Sequence, residues 1–245
     1  MCKTIGIIGG MGPMATASLF KRIIGITQAD SDQEHIHIII DNNTEIPDRS
    51  SYILQRGANP LDKLLESARL LVASGADFLI MPCNTAHYFH RDIQREINIP
   101  LVNMIRETAL HIEGCFPGTA KVGLLATEGT CASGIFDSEF KSLGMEIVKP
   151  SREAQRHVSA LIYSVKRGDN ASEPPEGYLA AIRELRQEAG VVILGCTELP
   201  VAHEAFGISG IFIDTLDVLA QSAVVFAGKS LRENNFTKKT CLGAG

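Results

Sequence analysis

The sequence predicts an α/β protein made of two similar halves, each with a parallel sheet, and a ligand site in the cleft between them. Short apolar runs alternate with stretches of helical period, which is typical of βα units around a parallel sheet. Three segments of the first half recur in the same order in the second half. With 245 residues, the chain is long enough for one large domain or two small ones, and the repeat favours two.

The predicted elements follow from the spacing of the apolar residues. Runs bounded by Gly, Pro or Asn predict eight strands, at residues 4–8, 35–41, 78–81, 101–103, 122–125, 146–149, 191–194 and 212–214. Apolar residues at three- and four-residue spacing predict helices at residues 14–27, 60–74, 89–96, 152–167 and 177–189.

The internal repeat divides the chain into two lobes. Three aligned pairs have nearly the same spacing: Gly6 with Gly123 at 117 residues, Cys83 with Cys196 at 113, and Asn103 with Asp214 at 111. We therefore predict a first lobe of residues 1–100 plus about 211–228, whose last helix returns to it, and a second lobe of residues 101–210. The polar segment 229–245 is predicted to be a flexible tail.

Composition excludes several classes of protein. The formal net charge of −5 argues against nucleic-acid binding. Acidic residues interrupt the apolar stretch 211–228, so we expect no membrane span. Six cysteines without a CxxC pair indicate neither a disulfide scaffold nor a zinc module. The N-terminus lacks the pattern of a signal peptide, so the cytoplasm is the expected compartment.

Two loops carry the chemistry-bearing residues. In each, an apolar strand ends in a small turn that is followed by Cys83 or Cys196. A thiol at the start of a helix lies where unpaired N–H groups and the helix dipole stabilise a thiolate. The neighbouring side chains of Asn84, Thr85 and Thr197 can help to hold a carboxylate. A lone cysteine is often only a small core residue, but matched positions in two repeats favour a functional pair.

Two thiols that face one another across a cleft suit inversion of a stereocentre. A base on one face of the carbon removes the proton and an acid on the other face returns one. A disulfide is the competing interpretation and is disfavoured in a reducing compartment. A metal site is weaker still because only His87 is near, so we predict no metal.

The glycines after the first strand invite a nucleotide-binding interpretation, which their spacing disfavours. Residues 6–12 read G-x-x-G-G-x-G, whereas the dinucleotide fingerprint is G-x-G-x-x-G. Close approach of the backbone to a small substrate explains these glycines better.

Five motifs together resemble the aspartate/glutamate racemase family of cofactor-independent enzymes. They are GGMGP at residues 9–13, NNTEIPDR at 42–49, PCNTAH at 82–87, LLATEGT at 124–130 and GCTEL at 195–199. The resemblance implies two Rossmann-like lobes, no pyridoxal phosphate or other cofactor, and Cys83 and Cys196 as the proton-exchanging residues. It also implies a homodimer and an acidic amino acid as the substrate.

The motifs fit the aspartate branch of this family better than the glutamate branch. Glutamate racemases carry an Asp-Ser-Gly turn after the first strand and a His after the second Cys-Thr, where this chain has Gly9-Gly10-Met11 and Glu198. A maleate isomerase or a hydantoin racemase is the nearest alternative. A binding protein without turnover is the alternative from another class.

The resemblance and the charges also suggest the substrate contacts. A dicarboxylic amino acid needs cations, and the family pattern indicates Arg49 and Lys166. The remaining expected contacts lie in the glycine loop, the two cysteine loops and the first loop of the second repeat: Met11, Asn84, Thr85, Thr127, Thr197 and Glu198. Two weaker candidates are Thr130 and Tyr163, and His87, four residues after Cys83, is expected either to tune that cysteine or only to pack.

Overall fold

A computed structural model describes residues 2–169 and 173–232. Its strands are β1 (Ile5–Gly9), β2 (Ile38–Asn42), β3 (Phe78–Ile80), β4 (Lys121–Leu125), β5 (Glu146–Val148), β6 (Val191–Leu194) and β7 (Phe212–Asp214). Its helices are α1 (Pro13–Ile26), α2 (Arg49–Ile53), α3 (Leu61–Ala73), α4 (His90–Glu96), α5 (Met104–Cys115), α6 (Glu128–Ser133), α7 (Ile135–Lys141), α8 (Arg152–Arg167), α9 (Glu176–Arg186), α10 (Glu198–Phe206) and α11 (Thr215–Phe226).

The strands form two parallel sheets, one in each half of the chain. The first has the order β2-β1-β3, and Leu101 adds a single parallel bridge to Leu79 of β3. The second has the order β5-β4-β6-β7. Helices cover both faces of each sheet, because the strands are apolar on both sides. The predicted α/β class with two parallel sheets is confirmed.

The boundaries between the lobes lie slightly later in the chain than predicted, and the helix after each boundary strand packs against the other lobe. Leu101, expected to open the second lobe, pairs with the first sheet, and β7, expected in the first lobe, pairs with β6 of the second sheet. After Leu101 and after β7, the chain crosses to the other lobe. Helix α5 packs against the second sheet through residues such as Ile112, whereas α11 packs against the first through residues such as Leu219.

The first residues of the predicted flexible tail contact the end of α1. Leu231 bridges Thr27 in an antiparallel sense, and the N–H of Arg232 donates to Ile26 O at 2.7 Å. The Arg232 guanidinium also donates to Ala29 O at 3.0 Å. Residues 229–232 are therefore attached to the end of α1, and residues 233–245 lie outside the described residues. In the two described ranges, no helix is long and apolar enough to cross a membrane.

Candidate active site

Both cysteine loops line one small cavity between the lobes, as the repeat predicts. Cys83 follows β3 and Cys196 follows β6, so each lies at the carboxyl end of a parallel strand, two residues before a helical segment begins. The cavity is also lined by Met11, Asp48, Arg49, Ser50, Asn84, Thr85, Lys166, Gly195, Thr197 and Glu198. Both thiols are buried.

The Cys196 thiol is held in its protonated form by its surroundings. Its Sγ donates to Glu198 Oε2 at 2.9 Å, and the same oxygen accepts from the Thr197 hydroxyl at 3.3 Å. Burial raises the pKa of Cys196 well above its ordinary value, and the charge of Glu198 raises it further, whereas Lys166 opposes this shift. Cys196 is therefore a thiol that can donate a proton.

Helix α10, which begins at Glu198, is anchored behind the cavity by a buried pair. His203 of α10 and Tyr178 of α9 form a hydrogen bond of 2.6 Å. Burial lowers the pKa of His203 to about 4, so the imidazole is neutral and its Nε2 accepts from the tyrosine hydroxyl. This contact fixes the helix that carries the second cysteine loop.

Arg49 is buried and has a guanidinium fixed by backbone carbonyls. Nη1 donates to Ile46 O at 3.2 Å and to Pro47 O at 2.9 Å, and Nη2 donates to Met11 O at 3.2 Å. Its Nε is buried and has no protein partner. A buried donor without a partner costs free energy, so this nitrogen is suited to receive a carboxylate.

Lys166, at the end of α8, brings a second positive charge to the cavity. Loss of hydration alone would lower the pKa of Lys166, but its electrostatic interactions with Cys196, Glu198 and Cys83 raise it overall. The ammonium therefore remains charged at neutral pH.

Asn84 presents an unpaired acceptor beside Cys83. Its Nδ2 donates to Thr215 Oγ1 at 2.9 Å, and the Thr215 hydroxyl in turn donates to Leu194 O at 3.3 Å. These two bonds fix which side of the amide carries the oxygen. Asn84 Oδ1 is buried without a protein partner, and it can accept a hydrogen bond from an ammonium group.

A cluster of hydroxyl groups joins the lobes beside the cavity. Thr130 Oγ1 lies 2.7 Å from Thr85 Oγ1 and 2.9 Å from Thr127 Oγ1, and Ser50 donates to Thr127 Oγ1 at 3.0 Å. Thr127 does not line the cavity but supports Thr85 from behind. Gly129 allows the close approach of the lobes, because a Cβ there would lie 2.6 Å from Ser50 Cα.

His87 shapes the first cysteine loop through the backbone. Its Nδ1 lies 2.9 Å from Cys83 O, and its Nε2 accepts from the N–H of Met104 at 3.0 Å. Burial lowers the pKa of His87 to about 4, so the ring is neutral and Nδ1 donates to the carbonyl. His87 therefore holds Cys83 in place and does not line the cavity.

Gly10 of the glycine loop approaches the protein's own backbone, whereas a Cβ at Gly12 would meet no atom within 4 Å. Gly10 has φ = 89°, and a Cβ there would lie 2.2 Å from Asn43 O. Gly10 is thus required for the approach of this loop to the chain after β2. The neighbouring Met11 does reach the cavity and accepts from Arg49.

The structure brings most of the predicted site residues together. Of the two predicted catalytic cysteines and the eight predicted substrate contacts, all but Thr127 line the cavity. Tyr163 lies outside the cavity, and Lys166 Nζ is 5.5 Å from the centroid of its ring. The resemblance also indicated Asp48, which lines the cavity beside Arg49, whereas sequence reasoning missed Ser50. In the part of the chain that the structure describes, no group of three or more His, Cys, Asp or Glu side chains is arranged to hold a metal.

The family model of Asp/Glu/hydantoin racemases matches residues 8–223. The chain belongs to the Asp/Glu/hydantoin racemase family. This membership confirms the resemblance noted from the five motifs and the expectation of an amino-acid racemase.

Members of this racemase family match the chain over nearly its whole length. The structure of an aspartate racemase from Picrophilus torridus has 30% identity and a TM-score of 0.80, covering 98% of this chain and 100% of that one. An aspartate racemase homologue from Pyrococcus horikoshii has 28% identity and a TM-score of 0.72 over 92% and 99%. The broad specificity amino-acid racemase RacX of Bacillus subtilis is 28% identical over 90% of this chain and 96% of its own.

Proposed function

We propose that this racemase interconverts L- and D-aspartate by proton transfer between Cys83 and Cys196, without pyridoxal phosphate. The observation that carries the proposal is that both buried thiols line one cavity that also contains Arg49 and Lys166. Similarity to the aspartate racemase of Picrophilus torridus supports the choice of substrate.

The unpaired groups of the cavity match the functional groups of an acidic amino acid. Arg49 Nε is a donor for one carboxylate, and the Lys166 ammonium is a cation for the second. Asn84 Oδ1 is an acceptor for the α-ammonium group. A monocarboxylic amino acid would leave one cation without a partner, so the site favours a dicarboxylate.

In the proposed reaction, the Cys83 thiolate removes the α-proton and the Cys196 thiol donates its own to the opposite face. The electron pair of the broken C–H bond remains on the α-carbon until it forms the new C–H bond. Cys83 leaves the cycle as a thiol and Cys196 as a thiolate, which is the starting state for the other enantiomer. Neighbouring N–H and hydroxyl groups, with Arg49 and Lys166, stabilise the intermediate charge.

Proton NMR in deuterated water tests this function directly. The protein, freed of pyridoxal compounds, is incubated with L-aspartate, D-aspartate or L-glutamate, and the α-proton signal is followed together with chiral analysis. We expect loss of the signal with appearance of the opposite enantiomer, faster for aspartate. Equal rates with non-acidic amino acids would instead favour a broad-specificity racemase. No exchange with any amino acid, but turnover of maleate or a hydantoin, would contradict the proposal.

Glu198 is assigned to Cys196 and not to the substrate, because its carboxylate accepts from the thiol and would repel a dicarboxylate. The change Glu198→Gln removes a charge that raises the pKa of Cys196. We expect the alkaline limb of the kcat/KM profile, which reports loss of the Cys196 proton, to move to lower pH. This expectation is checked by pH–rate profiles measured with L-aspartate and with D-aspartate as the starting substrate.

The matched control is Glu204→Gln, an exposed position on the same helix, which should leave the profile unchanged. If Glu198 served only to bind substrate, Glu198→Gln would change KM without moving the alkaline limb, and the assignment would be wrong.

A further inference from the structure

One buried hydroxyl group is hydrogen-bonded to both cysteine loops. Thr215, the first residue of α11, is fully buried. Its Oγ1 accepts from Asn84 Nδ2 at 2.9 Å and donates to Leu194 O at 3.3 Å. Asn84 directly follows Cys83, and Leu194 lies two residues before Cys196. Thr215 therefore connects the two loops, and it is not itself a lining residue of the cavity.

The backbone of Thr215 is fixed on both sides. Asp214, the residue before it, pairs with Leu194 of β6 and caps α11 by accepting from the N–H of Leu216 at 2.8 Å. The Asp214 carboxylate also pairs with Arg22 of α1, in the first lobe. A hydroxyl group on so constrained a backbone has a defined position, which is what a residue that supports a site needs.

The single proton of the Thr215 hydroxyl group determines how the Asn84 amide is oriented. Thr215 donates this proton to Leu194 O, because a carbonyl oxygen can only accept. The lone pairs that remain can only accept, so they select the NH₂ side of the amide. Asn84 Oδ1 is then the side without a protein partner, and an unpaired acceptor is what an α-ammonium group needs.

At the matching position of the first repeat, a methionine takes the place of this threonine. Alignment of the repeats places Met104, the first residue of α5, opposite Thr215. The N–H of Met104 donates to His87, whose ring donates to Cys83 O. The starts of α5 and α11 thus hold the first cysteine loop at two points, the first through its backbone and the second through the side chain of Asn84.

We propose that Thr215 is a positioning residue of this racemase, which directs Asn84 Oδ1 toward the α-ammonium group of the substrate and holds the two cysteine loops together. The inference rests on the proposed racemisation of aspartate. Without the hydroxyl group, Asn84 Nδ2 loses its acceptor and the amide can turn an N–H toward the cavity. Two donors would then face one another, so the affinity for the amino group falls while the affinity for the carboxylates remains.

Two ligands that differ only in the amino group test this orientation. DL-Aspartate carries the α-ammonium group, and racemisation does not change its composition, whereas succinate carries both carboxylates and no amine. Thr215→Val replaces the hydroxyl group by a methyl group of similar size. We expect it to raise the dissociation constant of DL-aspartate about tenfold and that of succinate less than about twofold. Isothermal titration calorimetry measures both constants.

The matched control is Thr27→Val. Thr27 is equally buried, its hydroxyl group donates to Ile23 O of its own helix at 2.6 Å, and it does not line the cavity. We expect this variant to lose a buried hydrogen bond and to change neither dissociation constant. Thr215→Ser retains the hydroxyl group and should bind DL-aspartate within about twofold of the wild type.

A double-mutant cycle separates an effect through Asn84 from a general loosening of the site. Asn84→Ala removes the amide, so in that background Thr215→Val should raise the dissociation constant of DL-aspartate by less than about twofold. If Thr215→Val weakened binding as much in Asn84→Ala as in the wild type, Thr215 would not act through the amide.

Alkylation of the thiols tests the link between the loops without any substrate. Thr215→Val removes a hydrogen bond from each loop, which should make local opening of both more frequent. Iodoacetamide should therefore label Cys83 and Cys196 at least about threefold faster in Thr215→Val than in the wild type or in Thr27→Val. Mass spectrometry of the peptides that contain each cysteine measures the rates.

The two measurements fail in different ways. Equal weakening of DL-aspartate and succinate binding by Thr215→Val, or no change in either, would overturn the orientation of Asn84 by Thr215. Unchanged labelling of the thiols would overturn the link between the loops. A wild type that neither binds nor racemises aspartate would contradict the proposed function, and with it the orientation toward an amine, whereas the labelling rates would still decide the link between the loops.

Discussion

Cys83→Ala and Cys196→Ala are each expected to lower kcat/KM for racemisation by at least about 10³-fold, because each removes the only acid–base group on one face of the α-carbon. Each variant retains the other thiol and should therefore still exchange the α-proton of one enantiomer with solvent. The two variants should act on opposite enantiomers. Chiral analysis and the α-proton signal in deuterated water measure both effects in one experiment.

The control for this pair is Cys131→Ala. Cys131 lies on α6, where its thiol donates to Gln155 Oε1 at 3.4 Å, and it does not line the cavity. We expect this variant to racemise at the wild-type rate. If both site variants exchanged the same enantiomer, or if either racemised normally, the two-base assignment would be wrong.

Lys166→Met is expected to lower kcat/KM for aspartate by about 10²-fold, because a carboxylate then loses its charged partner. Lys166 is at the end of α8 and its side chain is partly exposed, so the Tm without ligand should change little. The stabilisation of the wild type by succinate, an unreactive dicarboxylate, should be lost. Steady-state kinetics and thermal unfolding with and without succinate provide the measurements.

The same variant has a second signature in its pH dependence. The charge of Lys166 lowers the pKa of Cys196, so its removal raises that pKa and moves the alkaline limb to higher pH. This direction is opposite to the one expected for Glu198→Gln. Arg167→Met, at the adjacent exposed position, should change neither the rate nor the profile. If Lys166→Met left both KM and kcat unchanged, Lys166 would not be a substrate-binding residue.

The regular elements follow closely from local sequence, because strong apolar periodicity determines them. Strands β6 and β7 and helix α8 have the predicted bounds. Helices α2, α5, α6, α7 and α10 were not predicted from the spacing of apolar residues. Helices α6 and α7 have only six and seven residues, too few for two full periods, and both are stabilised by their contacts in the core.

The sequence by itself determined the two-lobed α/β class, the family and the pair of matched cysteines, since repeats and motifs are properties of the chain order. Only the tertiary structure decided that Leu101 pairs with the first sheet and β7 with the second, because strand pairing depends on contacts with distant segments. It alone assigned Gly10 to a backbone contact, His87 to the Cys83 carbonyl and Glu198 to the Cys196 thiol. Hydrogen bonds and burial arise between residues that folding brings together, and spacing along the chain does not encode them directly.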